Sequence, residues 1–211
     1  MTCGLEMKEM CRPVVIHGER HSGTNAMRRW ISDACPCSPF HMNHTHDYDG
    51  PLGWKHAETI QSIPESIVLI IMYRGAISWL RHMARDTYEA KYYRNGRPMD
   101  PTVVLPLLLT DTFPPEYASA LEMRSIKYSR WHAVAQSHPN VIEVVYEDFV
   151  EAGGTFDVAS RLHGIKCTPH PLKYVSRQTS QFDLPDINDT LLRSVYKALN
   201  FTLERELHLM V

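Results

Sequence analysis

Apolar residues along this chain follow two patterns, short unbroken runs and segments in which they recur every three or four residues. The mainly apolar runs at 14–16, 67–73 and 141–146 are typical of β-strands, and the second is uninterrupted, like a strand covered on both faces. The helical spacing predicts helices at 24–33, 57–63, 75–93, 120–137, 156–162 and 189–209. Together they predict one α/β domain over residues 1–211, with a central parallel sheet flanked by helices in three layers.

Residues 94–119 interrupt this order. They contain five prolines and show neither helical nor strand periodicity, so we predict an insertion over the active face. Loops of this kind commonly determine which substrate an enzyme admits. The apolar run at 103–109 is either a wall of the substrate site or local core.

The connection between the first strand and the first helix has the composition of a phosphate-binding loop. Gly18 ends the strand, and the free amides of the following helical turn, with the positive end of its dipole, favour anions. Donors and positive charge are also available on side chains, at Arg20, His21, Ser22, Thr24 and Asn25. The alternative is an ordinary strand-to-helix turn capped by Ser or Thr.

The loop differs from that of nucleotide triphosphatases, which reads G-x-x-x-x-G-K-[ST]. Gly18 and Gly23 have the matching spacing, but Thr24 and Asn25 stand where the lysine and the metal-holding hydroxyl belong. ATP or GTP hydrolysis is therefore disfavoured.

The run GERHSGTN at residues 18–25 resembles the GERxSGTN subgroup of P-loop sulfotransferases. These enzymes use PAPS (3′-phosphoadenosine 5′-phosphosulfate) as the sulfuryl donor. The resemblance implies a P-loop-type fold in which this loop, including Gly23, holds the 5′-phosphosulfate. His21 replaces the usual loop lysine, so Arg20 or Lys55 has to take over its role.

Trp54-Lys55-His56 resembles a Gly-Trp-Lys-His run that follows the second strand in that subgroup. The resemblance implies that His56 is the general base and that Lys55 stabilises the leaving phosphate. An imidazole suits this role because its ordinary pKa lies near neutral pH. The structural alternative is an exposed Lys-His pair at a strand end.

Arg74, at the end of the long apolar strand, resembles the arginine of the family's R-N-P-x-x-x-x-x-S segment, which binds the 3′-phosphate of PAPS. Gly75-Ala76 replaces Asn-Pro, and His82 stands at the position of the serine. Ser78 offers a hydroxyl one turn earlier. The alternative for an arginine at this place is a structural salt bridge.

Two later segments also resemble the family. The run at 146–149, YEDF, resembles a mainly structural segment that follows a strand in sulfotransferases. Residues 168–184 are polar and contain Arg177, a candidate for the basic loop that covers the adenosine and the 3′-phosphate. The R-K-G signature of the cytosolic enzymes is missing there.

The amino-acid composition limits the classes of molecule that this protein is expected to bind. Lys and Arg number 22 against 24 Asp and Glu, a net charge of −2, which disfavours general nucleic-acid binding. With the apolar 94–119 segment, this charge favours a small-molecule acceptor over a polysaccharide or a protein.

No run reaches the roughly 18 apolar residues of a membrane span. Lacking a signal-peptide pattern, the chain is expected to be cytoplasmic, with a Golgi location as the alternative if a leader has been removed.

The five cysteines lack a framework spacing, so free thiols are expected, with one incidental bridge as the alternative. A cluster of possible metal ligands comprises His41, His44, His46, Asp47 and His56. No familiar ligand spacing completes it, and no metal is expected.

The competing functions are a P-loop small-molecule kinase and a non-catalytic nucleotide- or metal-binding module. The sequence makes no prediction of the oligomeric state.

Overall fold

A computed structural model describes residues 12–35, 56–60, 62–87, 89–113, 116–151, 167 and 187–209. The described chain begins with β1 (Val14–Gly18), α1 (Thr24–Ala34), β2 (Val68–Tyr73), α2 (Ala76–Arg85), a 3-10 turn (Ala90–Tyr92) and the hairpin strands β3 (Tyr93–Arg94) and β4 (Arg97–Pro98). It continues with α3 (Pro101–Thr110), α4 (Ala120–Ser137), β5 (Val141–Val145), α5 (Tyr146–Glu151), α6 (Asp189–Ala198) and α7 (Phe201–Glu206).

The main sheet of the described chain has the strand order β1-β2-β5, and both pairings are parallel. β2 lies in the middle and all six of its residues are buried, as its uninterrupted apolar run predicts. Gly18 is the register partner of Met72, and Tyr73 is the partner of Val145. The three strands therefore end at one edge, where ligands bind in open α/β sheets.

Helices cover both faces of this sheet. The even-numbered residues of β2 pack with α1 and α5 through side chains that include Trp30 and Phe149, whose rings meet edge to face. The odd-numbered residues pack with α4 and α7 through Tyr128, Trp131 and Leu203. The predicted parallel sheet flanked by helices is confirmed.

The expected absence of helical and strand structure at 94–119 is wrong, because this segment contains the β3–β4 hairpin and helix α3, whereas its position over the active face stays a prediction. The Asp100 side chain accepts a hydrogen bond from the Thr102 amide at 2.8 Å, and Pro101 occupies the first turn, where proline is tolerated. Pro106 is exposed. The apolar run at 103–109 is core, since Val104, Leu105 and Leu108 are buried in one cluster with residues of α2.

Three predicted helices differ from the structure. The helix predicted over 75–93 ends at Arg85, and the described residues of 57–63 are not helical. The segment predicted as one helix over 189–209 is divided into α6 and α7. Asn200 causes the break, because its side chain accepts a hydrogen bond from the Leu203 amide at 3.2 Å and starts a new helix. The predicted helix at 156–162 lies outside the described residues.

A disulfide joins Cys35, which follows α1, to Cys167. The expectation of free thiols is therefore wrong for this pair, and the incidental bridge that was the alternative is present. A disulfide is typical of oxidising compartments, so the cytoplasmic location is still only a prediction. Among the described residues, no helix combines the length and the apolar character needed to cross a membrane.

Candidate functional site

The loop between β1 and α1 has its carbonyl groups turned towards the surrounding protein. Four successive carbonyl oxygens, those of residues 18–21, each accept a hydrogen bond from a side chain. The donors are, in order, His56 Nδ1, Ser22 Oγ, Trp79 Nε1 and Arg74 Nη1. Within the same peptide units, the Arg20 amide donates to Glu19 Oε1 at 2.8 Å and the Ser22 amide donates to the Glu19 carbonyl at 3.0 Å.

Helix α1 begins at this loop without a side-chain cap, so the Ser or Thr cap of the alternative interpretation is absent. The helical hydrogen bonds start with the amides of Ala26 and Met27, which both donate to Gly23 O. The amides of Thr24 and Asn25 precede that ladder and belong to the unpaired first turn of a helix. They are the groups that an anion at this end of α1 would use.

Gly23 has a φ of 93° and lies against the ring of Tyr146, where an added Cβ would be 2.1 Å from Cδ2. Gly23→Ala is therefore expected to destabilise the fold and to weaken anion binding. Gly96→Ala is a matched control, because Gly96 has a φ of 72° with no neighbouring atom within 4 Å of the added Cβ. We expect Gly96→Ala to cost about 1 kcal/mol and Gly23→Ala about 2 kcal/mol more, measured by urea unfolding. Equal losses in the two variants would contradict the close contact with Tyr146.

His56 is buried beside the loop, and its ring Nδ1 is hydrogen-bonded to Gly18 O. A carbonyl oxygen can only accept, so Nδ1 carries the proton in the neutral ring. The other nitrogen, Nε2, then holds the lone pair that can accept a proton. This is the tautomer that a general base requires.

The segment that carries His56 is fixed through its backbone. The carbonyl oxygens of 56–58 accept hydrogen bonds from Lys127 Nζ at 3.0 Å, from His17 Nε2 at 3.1 Å and from Trp131 Nε1 at 3.0–3.2 Å. These carbonyls are thus bound by side chains of β1 and α4. This explains why the helix predicted at 57–63 does not form in the described part of that segment.

Arg74 is buried at the end of β2 and joins the loop to α2. Its Nη1 donates to His21 O at 2.8 Å, and its Nε donates to Ser78 Oγ at 2.8 Å. His82 Nδ1 is bonded to the Ser78 carbonyl at 2.9 Å, and its Nε2 lies 3.4 Å from Arg74 Nη2. Both residues that could complete the phosphate clamp therefore contact Arg74.

The segment at 146–149 also contacts Arg74, although the sequence indicated only a structural role. The guanidinium carbon lies 4.4 Å from the centre of the Tyr146 ring, and Nε lies 3.7 Å from Glu147 Oε1. Glu147 Oε2 accepts a hydrogen bond from the Gly75 amide at 3.2 Å. Arg74 thus takes part in the structural salt bridge of the alternative interpretation, and its role in binding a phosphate stays a prediction.

Helix α4 supplies four side chains that support the site, and no motif identified them. Arg124, Lys127, Tyr128 and Trp131 lie on one face, at positions three, four and seven apart, and all are buried. Arg124 Nη2 donates to Arg74 O at 2.6 Å, and the Arg74 amide donates to Tyr128 Oη at 3.1 Å. Lys127 contacts Glu19 and the His56 carbonyl. The sequence did contain a signal for these residues, because the basic residues Arg124 and Lys127 lie on the same helix face as Trp131.

Three histidines near the loop have lowered pKa values, chiefly because burial disfavours the charged ring. The pKa falls from 6.5 to about 3 for His17 and to about 4 for both His21 and His82. His21 is therefore neutral at pH 7, and the expectation that it adds positive charge to the loop is wrong. Arg20, whose Nη1 lies 4.0 Å from Glu89 Oε1, and Arg74 carry charge there instead.

These pKa values predict a loss of stability in mild acid. The unfolded chain takes up protons on the three imidazoles near pH 6.5, whereas the folded chain resists protonation until about pH 4 or below. The unfolded state therefore binds more protons in this window, and the free energy of unfolding falls as the pH drops from about 7 to about 5. Urea unfolding across this range measures the slope.

The His17→Gln variant serves as the control for this pH dependence. Glutamine can still donate to the Ala57 carbonyl but does not titrate, so the slope becomes smaller than in the unsubstituted protein. A free energy of unfolding that is constant or rises as the pH falls from 7 to 5 would contradict the lowered pKa values.

A cavity of about 470 Å³ begins at Gly75 and Ser78, immediately after Arg74, and extends to α6 and α7. Its lining includes Tyr196 and Phe201, whose parallel rings have centres 6.2 Å apart. The volume is in the range of small-molecule sites.

Several predicted residues lie outside the described part of the chain, namely Lys55, Arg177 and the possible ligands at 41–47. Within the described ranges, no group of three or more His, Cys, Asp or Glu side chains is arranged to hold a metal ion.

No protein-family model, curated protein or solved structure matches this chain. The resemblance of residues 18–25 to P-loop sulfotransferases is therefore still a prediction. The structure does bring the loop, His56, Arg74, Ser78 and His82 to one edge of the sheet.

Proposed function

We propose that this chain is a sulfotransferase that transfers a sulfuryl group from PAPS to a hydroxyl or amine of a small-molecule acceptor. One observation carries the proposal, namely that the His56 ring donates its Nδ1–H to the first carbonyl of the β1–α1 loop. A proton acceptor is thereby held next to amides suited to an anion. Transfer of an anionic group to a hydroxyl or amine needs a group that accepts the proton and donors that stabilise the negative charge. The P-loop type of the fold is part of the proposal.

The residues fit the anionic groups of PAPS. The amides of 23–25 and the dipole of α1 favour the 5′-phosphosulfate, with Arg20 as an added charge. Arg74, with Ser78 and His82 beside it, suits the 3′-phosphate, because a guanidinium presents several donors in one plane.

The cavity that begins at Gly75 suits the adenosine part. It adjoins Arg74, its walls are largely apolar, and the exposed faces of Tyr196 and Phe201 can stack on a planar base. The acceptor would approach from the His56 side.

Bound PAPS supplies an activated sulfuryl group. His56 Nε2 accepts the proton that the acceptor loses as its oxygen or nitrogen attacks the sulfur, and the Gly18 carbonyl holds the ring meanwhile. The amides of 23–25 and Arg20 stabilise the negative charge that develops on the leaving phosphate. Lys55 is predicted to share this role. A sulfuryl group carries less charge than a phosphoryl group, so the reaction needs no metal for charge neutralisation.

Titration calorimetry tests the nucleotide part of this proposal. We expect adenosine 3′,5′-bisphosphate to bind without metal and more tightly than adenosine 5′-phosphate, because only the former reaches Arg74 with a 3′-phosphate. Tighter binding of ATP with Mg²⁺ would favour a kinase, and binding of Zn²⁺ alone would favour a metal-binding module. Either result, or no binding of the bisphosphate, would overturn the proposal. A screen of small-molecule acceptors with labelled PAPS then tests transfer.

A further inference from the structure

A buried carboxylate belongs to the loop that forms the proposed anion site. Glu19 is only 3% exposed, and its Oε1 accepts a hydrogen bond from the Arg20 amide at 2.8 Å. An unpaired negative charge in this place would repel an incoming phosphosulfate, since charges interact strongly where water is excluded. Some other group must therefore offset it.

Lys127 of α4 supplies the offsetting charge. Its ammonium forms an ion pair with Glu19 Oε2 and donates to the His56 carbonyl at 3.0 Å. Both side chains are buried, and they lie 108 residues apart in sequence. The ammonium therefore links the loop to the segment that carries His56.

We propose that Glu19 and Lys127 are positioning residues, a charge-compensated pair that holds the His56 imidazole in register with the anion-binding loop. This inference rests on the proposed function of the site for its catalytic consequence. Neither residue touches the reacting atoms. Lys127 acts on the His56 backbone, and Glu19 fixes Lys127 while binding the loop amide of Arg20.

The pair has two separable effects. Compensation of the Glu19 charge governs how well the loop binds an anion, whereas the bond from Lys127 to the His56 carbonyl governs where the base lies. Replacing both residues by neutral isosteres removes the unpaired charge and restores anion binding, but it does not restore the bond that positions His56. A purely structural ion pair would affect binding and turnover together.

The test compares Lys127→Met with the double variant Glu19→Gln/Lys127→Met. In Lys127→Met, the unpaired carboxylate is expected to weaken binding of adenosine 3′,5′-bisphosphate at least about 10-fold. In the double variant, affinity returns towards that of the unsubstituted protein. The kcat of sulfuryl transfer is expected to stay on the order of 100-fold low in the double variant, because His56 is no longer held in place.

The ring of His56 provides a readout that does not depend on turnover. Nitrogen-15 shifts of the imidazole distinguish the Nδ1–H from the Nε2–H tautomer. We expect Nδ1–H in the unsubstituted protein and a mixture of tautomers in both Lys127 variants. Lys197→Met, which changes an exposed lysine on α6, is the control for loss of a positive charge and is expected to leave the tautomer unchanged.

Three outcomes would overturn the inference: unchanged bisphosphate affinity in Lys127→Met, a double variant that binds no better than the single variant, or an unchanged His56 tautomer in both. If Lys127→Met does not fold, the double variant, which leaves no unpaired charge, still decides through its tautomer and kcat. Failure of the proposed function looks different. In that case the unsubstituted protein does not bind the bisphosphate, and the tautomer comparison alone tests the positioning role.

Discussion

The His56→Asn variant is expected to transfer sulfuryl groups about 10²–10⁴-fold more slowly than the unsubstituted protein. The asparagine amide can occupy the place of Nδ1 and still donate to the Gly18 carbonyl, but it offers no basic nitrogen in place of Nε2. The variant should therefore keep its stability and its affinity for adenosine 3′,5′-bisphosphate. Steady-state kinetics with labelled PAPS and calorimetry with the bisphosphate measure the two properties separately.

His56→Gln and His132→Asn complete this experiment. Glutamine loses the short anchor to the Gly18 carbonyl, so this variant is expected to be less stable as well as slow. His132, on α4, pairs with Glu143 at 2.8 Å and plays no part in the site, so its substitution should leave turnover intact. Full activity of His56→Asn would exclude His56 as the general base.

The Arg124→Met variant is expected to lose about 3–5 kcal/mol of unfolding free energy. Arg124 is fully buried and forms an ion pair with Glu204, which is 1% exposed. Its guanidinium also stacks over the Tyr128 ring at 4.3 Å. Removing only the arginine leaves a carboxylate in the interior without its partner. Guanidinium-induced unfolding measures the loss.

The double variant Arg124→Met/Glu204→Met separates stability from function. Replacing a whole buried pair by apolar residues of similar size is often neutral, so most of the lost stability should return. Binding of the bisphosphate should still be weakened, because the Arg74 carbonyl has lost its bond from Arg124 Nη2. A double variant as unstable as Arg124→Met would show that the loss arises from packing and not from the unpaired charge.

Local signals in the sequence predicted the elements that depend on short-range chemistry. The bounds of α4 match the periodic segment at 120–137, and β2 occupies all but the first residue of its apolar run. The β1–α1 loop was recognisable because its glycines and polar residues are contiguous. Asn188 caps α6, because its side chain accepts a hydrogen bond from the Leu191 amide at 2.9 Å, and asparagine is a preferred residue type directly before a helix.

The errors arose where distant side chains determine the backbone. Nothing within 57–63 indicates that its first two carbonyls are bound by His17 and Trp131, so its helical pattern misled the prediction. The prolines of α3 were taken as loop residues, although Pro101 suits a first helical turn and Pro106 faces solvent. The buried charges on α4 escaped notice because helix periodicity was judged from apolar residues alone.

The position of α4 in the chain has a consequence for the order in which the proposed site is assembled. During synthesis, the loop and the segment of His56 leave the ribosome long before the helix whose side chains secure them. Contacts between residues so far apart in sequence are costly in chain entropy and form late in folding. A nascent chain that ends before residue 124 therefore contains the entire GERHSGTN run but lacks the α4 side chains that bind the carbonyls of Arg74 and His56. Nucleotide capture should appear in one step, when α4 docks.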